Sequence, residues 1–93
     1  MTTLPMEKTD RKQRLFDPYK VLLHNDDVNE QGHVVQSLLK AVPQLPTSQA
    51  TEIMLEADNQ GVAIVILCPL EHAEMYRDRL RSFGLVSSIE KDF

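Results

Sequence analysis

A run of seven apolar residues, Val62 to Cys68, constrains the fold of this chain more than any other feature. The run is far shorter than the roughly 18 residues that a membrane-spanning helix requires. Since Val62 to Leu67 is apolar on both faces, it predicts a central strand that is covered by two layers of structure. The single cysteine, Cys68, cannot form an internal disulfide, and its place at the end of the apolar run predicts a small buried hydrophobic residue.

The length of the chain, 93 residues, leaves room for one domain with one hydrophobic core. With 42% hydrophobic and 26% charged residues, the composition is that of a globular protein. The first residues contain no basic segment followed by an apolar one, so no secretory signal is expected and the cytoplasm is the predicted location. A net charge of -4 argues against a nucleic-acid partner, because nucleic-acid-binding proteins usually present a basic surface.

Periodicity and turn residues predict three helices between three strands. A short strand is expected over 19–24, and the apolar spacing from Val34 to Val42 predicts a helix that ends before Pro43. Thr47 is predicted to cap a second helix over about 48–59, with Gly61 at its left-handed end. A third helix should start near Pro69 and end at about 83, and a last strand should cover 85–89.

The predicted order β-α-α-β-α-β indicates a small α+β sandwich in which a three-stranded sheet is backed by three helices. The order of the strands within the sheet does not follow from the sequence. Residues 1–17 lack helical or alternating apolar periodicity and are predicted to form a flexible amino-terminal arm, so that the domain comprises 18–93.

The densest polar feature is His24-Asn25-Asp26-Asp27, where an apolar strand gives way to a loop. These residue types are common in turns that have no other role. A calcium loop starting at Asp27 would need a glutamate where Leu38 stands, and the histidines and cysteine lack the spacing of zinc ligands. No arrangement of a nucleophile with a base is recognisable, so neither an enzyme nor a cofactor is expected. A carboxamide and two carboxylates on one loop are, in contrast, suited to accept hydrogen bonds from an ammonium group.

Three segments together resemble the ClpS family: Tyr19-Lys-Val-Leu-Leu-His-Asn-Asp-Asp27, Ala50-Thr-Glu-Ile-Met-Leu-Glu56 and Gly61-Val-Ala63. The similarity spans about residues 19–90. The resemblance implies an antiparallel ClpS-like sheet and a non-enzymatic adaptor that binds proteins through a free, bulky hydrophobic amino-terminal residue, an N-degron. Such an adaptor delivers its substrates to a Clp AAA+ unfoldase and its protease for degradation.

The resemblance also implies which residues form the site. Asn25 and Asp27 match the family's ammonium-binding positions, with Asp26 in the same motif. Asp58 stands where the family usually has a second ammonium contact, a histidine, and two further departures are Ala57 for a usual valine and Gln31 for a methionine at the rim. The implied wall of the hydrophobic pocket consists of Leu23, Asn29, Gln31, Val34, Met54, Ala57 and Leu85.

The resemblance further implies that the protein is a monomer that docks on the N-domain of a ClpA- or ClpC-type unfoldase, without a nucleic-acid or membrane partner. The alternative interpretation is a small interaction domain of similar topology, like the carboxy-terminal domain of the ribosomal stalk protein, that lacks an amino-terminal pocket. Binding that requires a free α-amino group on the ligand distinguishes the two.

Overall fold

The computed structural model describes residues 16–93 of the chain. Between residues 18 and 91 it contains three strands and three helices in the order β-α-α-β-α-β, which confirms the predicted fold class. The predicted arm, 1–17, lies almost entirely outside the described residues and stays a prediction. The elements are β1 (Pro18–His24), α1 (Gln31–Ala41), α2 (Thr47–Gln60), β2 (Val62–Pro69), α3 (Leu70–Ser82) and β3 (Val86–Lys91).

The helices end where the sequence indicates, but α2 begins differently. Gly61 follows α2 with φ of 89°, a left-handed conformation that a glycine adopts without steric cost, and its N–H bonds to the carbonyl of Ala57. Thr47 was expected to cap α2, and this expectation is wrong: Pro46 occupies the capping position and Thr47 is the first helical residue. The carbonyl of Thr47 accepts a hydrogen bond from the hydroxyl of Thr51 one turn later.

The three-stranded sheet has the order β2-β1-β3, with both strand pairs antiparallel. β1 is therefore the central strand, and Val21, Leu22 and Leu23 are all buried. The apolar run in β2 predicted a covered central strand, and this prediction is wrong because β2 lies at the edge of the sheet. Its residues alternate in burial: Ala63 and Val65 face the core, whereas Val62, Ile64 and Leu67 are exposed.

An irregularity in the pairing changes the register of β2. Val21 pairs with Ile66 and the next residue, Leu22, pairs with Ile64, so that Val65 is an extra residue of the bulged strand. Beyond the bulge, Cys68 faces the core side of the sheet but is only half-buried, less than the sequence predicted. Burial raises the pKa of the Cys68 thiol.

The core lies between the helices and one face of the sheet. α2 packs on β2, α3 packs on β1 and β3, and α1 packs against both of the other helices. Within the described part of the chain, no helix is long and apolar enough to cross a membrane. This packing brings together the end of β1, the start of α1 and the end of α2, and the polar loop from Asn25 to Glu30 lies at their junction.

Candidate functional site

The loop between β1 and α1 is anchored at two glycine turns. At its start, the N–H of Asn25 donates to the carbonyl of Gly61, 3.0 Å away, at the end of α2. Nearer its end, Nδ2 of Asn29 donates to the carbonyl of Gly84, 2.9 Å away, between α3 and β3. Both glycines have positive φ angles. The loop is thereby fixed to elements that are distant in sequence, and its polar side chains are held above the end of β1.

Asp26 organises the loop from within. Its Oδ1 accepts hydrogen bonds from the backbone N–H groups of Val28 and Asn29 at 2.8 and 2.7 Å. The side-chain amide of Asn29 donates to both carboxylate oxygens, at 3.2 and 3.1 Å. The backbone N–H of Asn29, and then its side-chain amide, lower the pKa of Asp26 because they stabilise the charged form. Asp26 is thus an ionised acceptor whose bonding capacity is largely used by its own loop.

A cavity lies beside this loop, at the junction of β1, α1 and α2. It contains about 290 Å³ of empty space, including the solvent at its mouth. Because this volume includes open solvent, the enclosed part of the cavity is much smaller than the pockets of about 300 to 1,000 Å³ that hold drug-sized ligands, and it suits a small group such as one side chain. Its lining comprises Leu23, His24, Asn25, Asp26, Asn29, Gln31, Val34, Met54, Ala57 and Asp58.

The lining of the cavity is apolar at depth and polar at the rim. Leu23, Met54 and Ala57 are buried and belong to the apolar interior. Asn25 and Asp58 are exposed, so their oxygen atoms can meet a group at the mouth. The same cavity therefore provides a place for a hydrophobic side chain and acceptors for a charged donor.

Two of the rim residues contact each other. Nε2 of Gln31, the first residue of α1, donates a hydrogen bond of 2.7 Å to Oδ2 of Asp58 near the end of α2. Both residues were predicted to belong to the site, but their contact does not follow from the sequence, because they are 27 positions apart on different helices.

Nine of the eleven residues that the resemblance implied line this cavity. The other two lie elsewhere: Leu85 is buried in the core, with 4% of its surface exposed, and Asp27 is exposed on the loop. Among the hydrogen bonds of residues 16–93, none involves the side chain of Asp27. His24 lines the cavity but was not among the predicted site residues, although it directly precedes Asn25; its Nε2 lies 2.7 Å from Oγ of Ser88.

A metal site does not form from the residues that the structure describes, since no three histidine, cysteine or acidic side chains among them come together suitably. The cavity combines an apolar interior with polar side chains that can bond to a ligand, and Ser88, whose hydroxyl contacts His24, is not among the residues that line it. The chemistry that this site offers is recognition of a ligand rather than its transformation.

Comparison with known proteins identifies the family. The family model described as ATP-dependent Clp protease adaptor protein ClpS matches residues 14–88. The chain belongs to the ClpS family. An adapter protein ClpS of Gloeobacter violaceus is 45% identical over 92 residues, which cover 99% of each chain. One from Prochlorococcus marinus is 50% identical over 92% of this chain and 82% of the relative.

Other ClpS proteins extend these similarities. A chloroplastic ClpS adapter of Arabidopsis thaliana is 42% identical over 88% of this chain and 52% of its own length. The structure of ClpS2 from Agrobacterium tumefaciens bound to L-phenylalaninamide superimposes with a TM-score of 0.77, covering 82% of this chain and 98% of the other at 24% identity, which supports the fold. The family is one of adaptors for the Clp protease, so the expectation of a non-enzymatic protein is confirmed, and the alternative of an unrelated domain of similar topology is set aside.

Proposed function

We propose that this chain is an N-degron adaptor, which holds the free amino-terminus of a substrate protein in the cavity beside the Asn25 loop. The first side chain of the substrate enters the apolar interior formed by Leu23, Met54 and Ala57. Its α-ammonium group meets the oxygen atoms of Asn25, Asp27 and Asp58, while Asp26 maintains the shape of the loop. Leu85 belongs to the same core cluster as Leu23 and Ala57 but does not line the cavity.

The observation that carries this proposal is the junction of a small apolar cavity with a rim of hydrogen-bond acceptors. An ammonium group has three donors and no acceptor, and hydrogen bonds between charged groups are about twice as strong as neutral ones. A ligand that fits both the apolar cavity and the rim of acceptors is an amino-terminal residue with a hydrophobic side chain. The relative bound to L-phenylalaninamide, an amino-acid amide with a free α-amino group, supports the same chemistry.

The proposed partners follow from the family. The adaptor acts as a monomer and docks on the N-domain of a ClpA- or ClpC-type AAA+ unfoldase, which passes substrates to the protease. The relatives include cyanobacterial proteins and chloroplastic ones. We propose that this chain acts in the cytoplasm.

Acetylation of the ligand is expected to weaken binding strongly. Peptides that begin with Leu or Phe should bind with a dissociation constant of about 1 μM, since one buried side chain and one ammonium group must offset the entropy of association. Acetylation removes the charge and two donors of the amino-terminus, so affinity should fall at least about tenfold, or 1.4 kcal/mol. Fluorescence anisotropy with matched free and acetylated peptides measures the difference.

The control for this experiment is a peptide of the same composition that begins with Ser. It retains the ammonium group but offers no apolar side chain, so it should bind weakly. Equal affinities for the free and acetylated Leu peptides would reject the proposal, because the rim acceptors would then have no role.

Deletion of residues 1–15 is expected to leave peptide binding intact and to abolish delivery to the protease. Within residues 16–93, the cavity is lined by side chains between Leu23 and Asp58, so we expect it to form without the deleted segment. In the ClpS family, the resemblance implies that this segment engages the unfoldase. Anisotropy measures binding, and degradation of a reporter with an amino-terminal Leu measures delivery. Loss of both activities together, with folding unchanged by circular dichroism, would contradict this separation.

A further inference from the structure

We infer that Gln31 and Asp58 act as one unit, in which Gln31 positions the Asp58 carboxylate to receive the α-ammonium group of the bound amino-terminus. The inference rests on the proposed function and assigns a role to a residue that lies at the rim of the site. Its basis is the 2.7 Å hydrogen bond from Nε2 of Gln31 to Oδ2 of Asp58, two residues that line the same cavity.

The electrostatics of the two helix ends indicate why the carboxylate needs a partner. Asp58 lies in the last turn of α2, where the partial negative charge of the helix disfavours an acidic side chain, and α2 has no basic residue in that turn. Gln31 is the first residue of α1, whose first turn contains no acidic residue. The amino-terminal end of a helix favours negative charge. The hydrogen bond therefore holds the Asp58 carboxylate toward the helix end that stabilises it.

The hydrogen bond leaves acceptor capacity on Asp58 for a ligand. A carboxylate has about four lone-pair sites on its two oxygens. Among the side chains of residues 16–93, Gln31 is the one that bonds to Asp58, and it uses Oδ2. Within the described part of the chain, Oδ1 has no side-chain donor and can accept a hydrogen bond from a ligand. Because the Asp58 side chain is already held in one orientation, less conformational entropy is lost when an ammonium group binds there.

The Gln31–Asp58 pair differs in this respect from Asp26. The oxygens of Asp26 accept hydrogen bonds from Val28 and Asn29 within their own loop. Among residues 16–93, one donor from another helix bonds to the carboxylate of Asp58, and that donor also lines the cavity. If the Gln31–Asp58 hydrogen bond only connected the two helix ends, its loss would not change ligand affinity. If Gln31 positions the Asp58 carboxylate for the ligand, loss of the hydrogen bond should weaken binding.

A double-mutant cycle tests the role of Gln31 in binding. Gln31→Met keeps the length of the side chain but removes its donor, and Asp58→Ala removes the acceptor. Gln31→Met should weaken binding of peptides beginning with Leu and with Phe by the same factor, about three- to tenfold. In the Asp58→Ala protein, Gln31→Met should change affinity less than about twofold, because the residue it positions is gone. Gln36→Met, on an exposed part of α1 away from the cavity, is the matched control and should bind like the unmodified protein.

A spectroscopic measurement tests the contact without any ligand. In ¹⁵N-labelled protein, the side-chain amide resonance of Gln31 should shift when Asp58 is replaced by Ala. The side-chain amide of Gln44, which donates to the hydroxyl of Tyr76 at 2.8 Å, should not shift and provides the internal control. Circular dichroism at increasing temperature should give unchanged unfolding midpoints for the variants, since both side chains are exposed.

The outcomes separate this inference from the proposed function. Independent, multiplicative losses for Gln31→Met and Asp58→Ala would overturn it, and so would unequal losses for the Leu and Phe peptides, which would place Gln31 in side-chain selection. An unshifted Gln31 resonance would overturn it as well. In each of these cases the unmodified protein would still prefer free over acetylated peptides, and the proposed function would stand. If the unmodified protein bound both forms equally, the proposed function would fail and the role of Gln31 with it.

Discussion

Replacement of Leu38 by Ala is expected to lower the free energy of unfolding by about 2 to 5 kcal/mol. Leu38 lies on α1, is completely buried and is among the largest fully buried side chains. The truncation removes apolar surface and leaves a cavity that the surrounding side chains fill only partly. For a domain of this size, the thermal midpoint should fall by about 8 °C or more. Unfolding followed by circular dichroism measures both quantities.

The matched control for this truncation is Leu55→Ala on α2. Leu55 is 44% exposed, so the same chemical change should alter the unfolding free energy by less than about 1 kcal/mol. If Leu38→Ala does not fold, Leu38→Val, compared with Leu55→Val, preserves the test because it removes less volume. Similar losses at positions 38 and 55 would contradict the assignment of Leu38 to the core.

Replacement of Asp26 by Ala is expected to destabilise the protein by about 1 to 2 kcal/mol and to weaken peptide binding at least about tenfold. Hydrogen bonds to a charged group contribute about 1.5 to 3 kcal/mol, and the partial exposure of this loop to water places the loss toward the lower end. Without the carboxylate, the amides of Val28 and Asn29 lose their acceptor and the loop loses its fixed shape. Urea unfolding and peptide anisotropy measure the two effects.

Asp27→Ala is the control on the same loop. The side chain of Asp27 is exposed and makes no hydrogen bond with other residues in 16–93, so its removal should change stability by less than about 0.5 kcal/mol. If Asp27 binds the ammonium group, its removal should still reduce peptide affinity. A loss of stability in Asp27→Ala as large as that in Asp26→Ala would show that the two roles are assigned to the wrong residues.

The pH dependence of the Asp26 contribution follows from its lowered pKa. Because the pKa of Asp26 in the folded protein lies below its unfolded value of about 3.9, the folded state favours the charged form. The stability that Asp26 contributes is present above the unfolded pKa and is lost as the pH falls through the folded pKa. The difference in unfolding free energy between Asp26→Ala and the unmodified protein should therefore be constant from pH 5 upward and decrease below about pH 4. A difference that changes between pH 6 and 8 would contradict this origin.

Local patterns predicted the helices well because helix formation depends on nearby residues. The apolar spacing from Val34 to Val42, the proline at 43 and the glycine at 61 place the ends of α1 and α2 within about two residues. The start of α2 was misplaced because a threonine before a helix is a common cap, yet the backbone at Pro46 already provides the extended conformation of that position.

The misassignment of β2 has a different cause. An apolar run predicts a strand whose two faces are both hydrophobic. It does not predict which strands pair with that strand, or whether it lies at the centre or at the edge of the sheet. In this sheet, β1 occupies the centre, and the exposed face of β2 retains Val62, Ile64 and Leu67. Strand order depends on how distant segments pair, and that information is absent from the periodicity of any one segment.

The sequence alone determined the chemistry of the candidate site and its family. The order Asn25-Asp26-Asp27 after an apolar strand indicated acceptors for a cation, and the three matching segments identified the family. The tertiary structure decided how those acceptors divide their roles. Asp26 bonds within its own loop, Asp27 stays exposed, and Asp58 meets Gln31 across 27 positions of sequence. Residue type fixes what a side chain can bond to, whereas the packing of α1 against α2 and of the loop against two glycine turns fixes which partner is within reach.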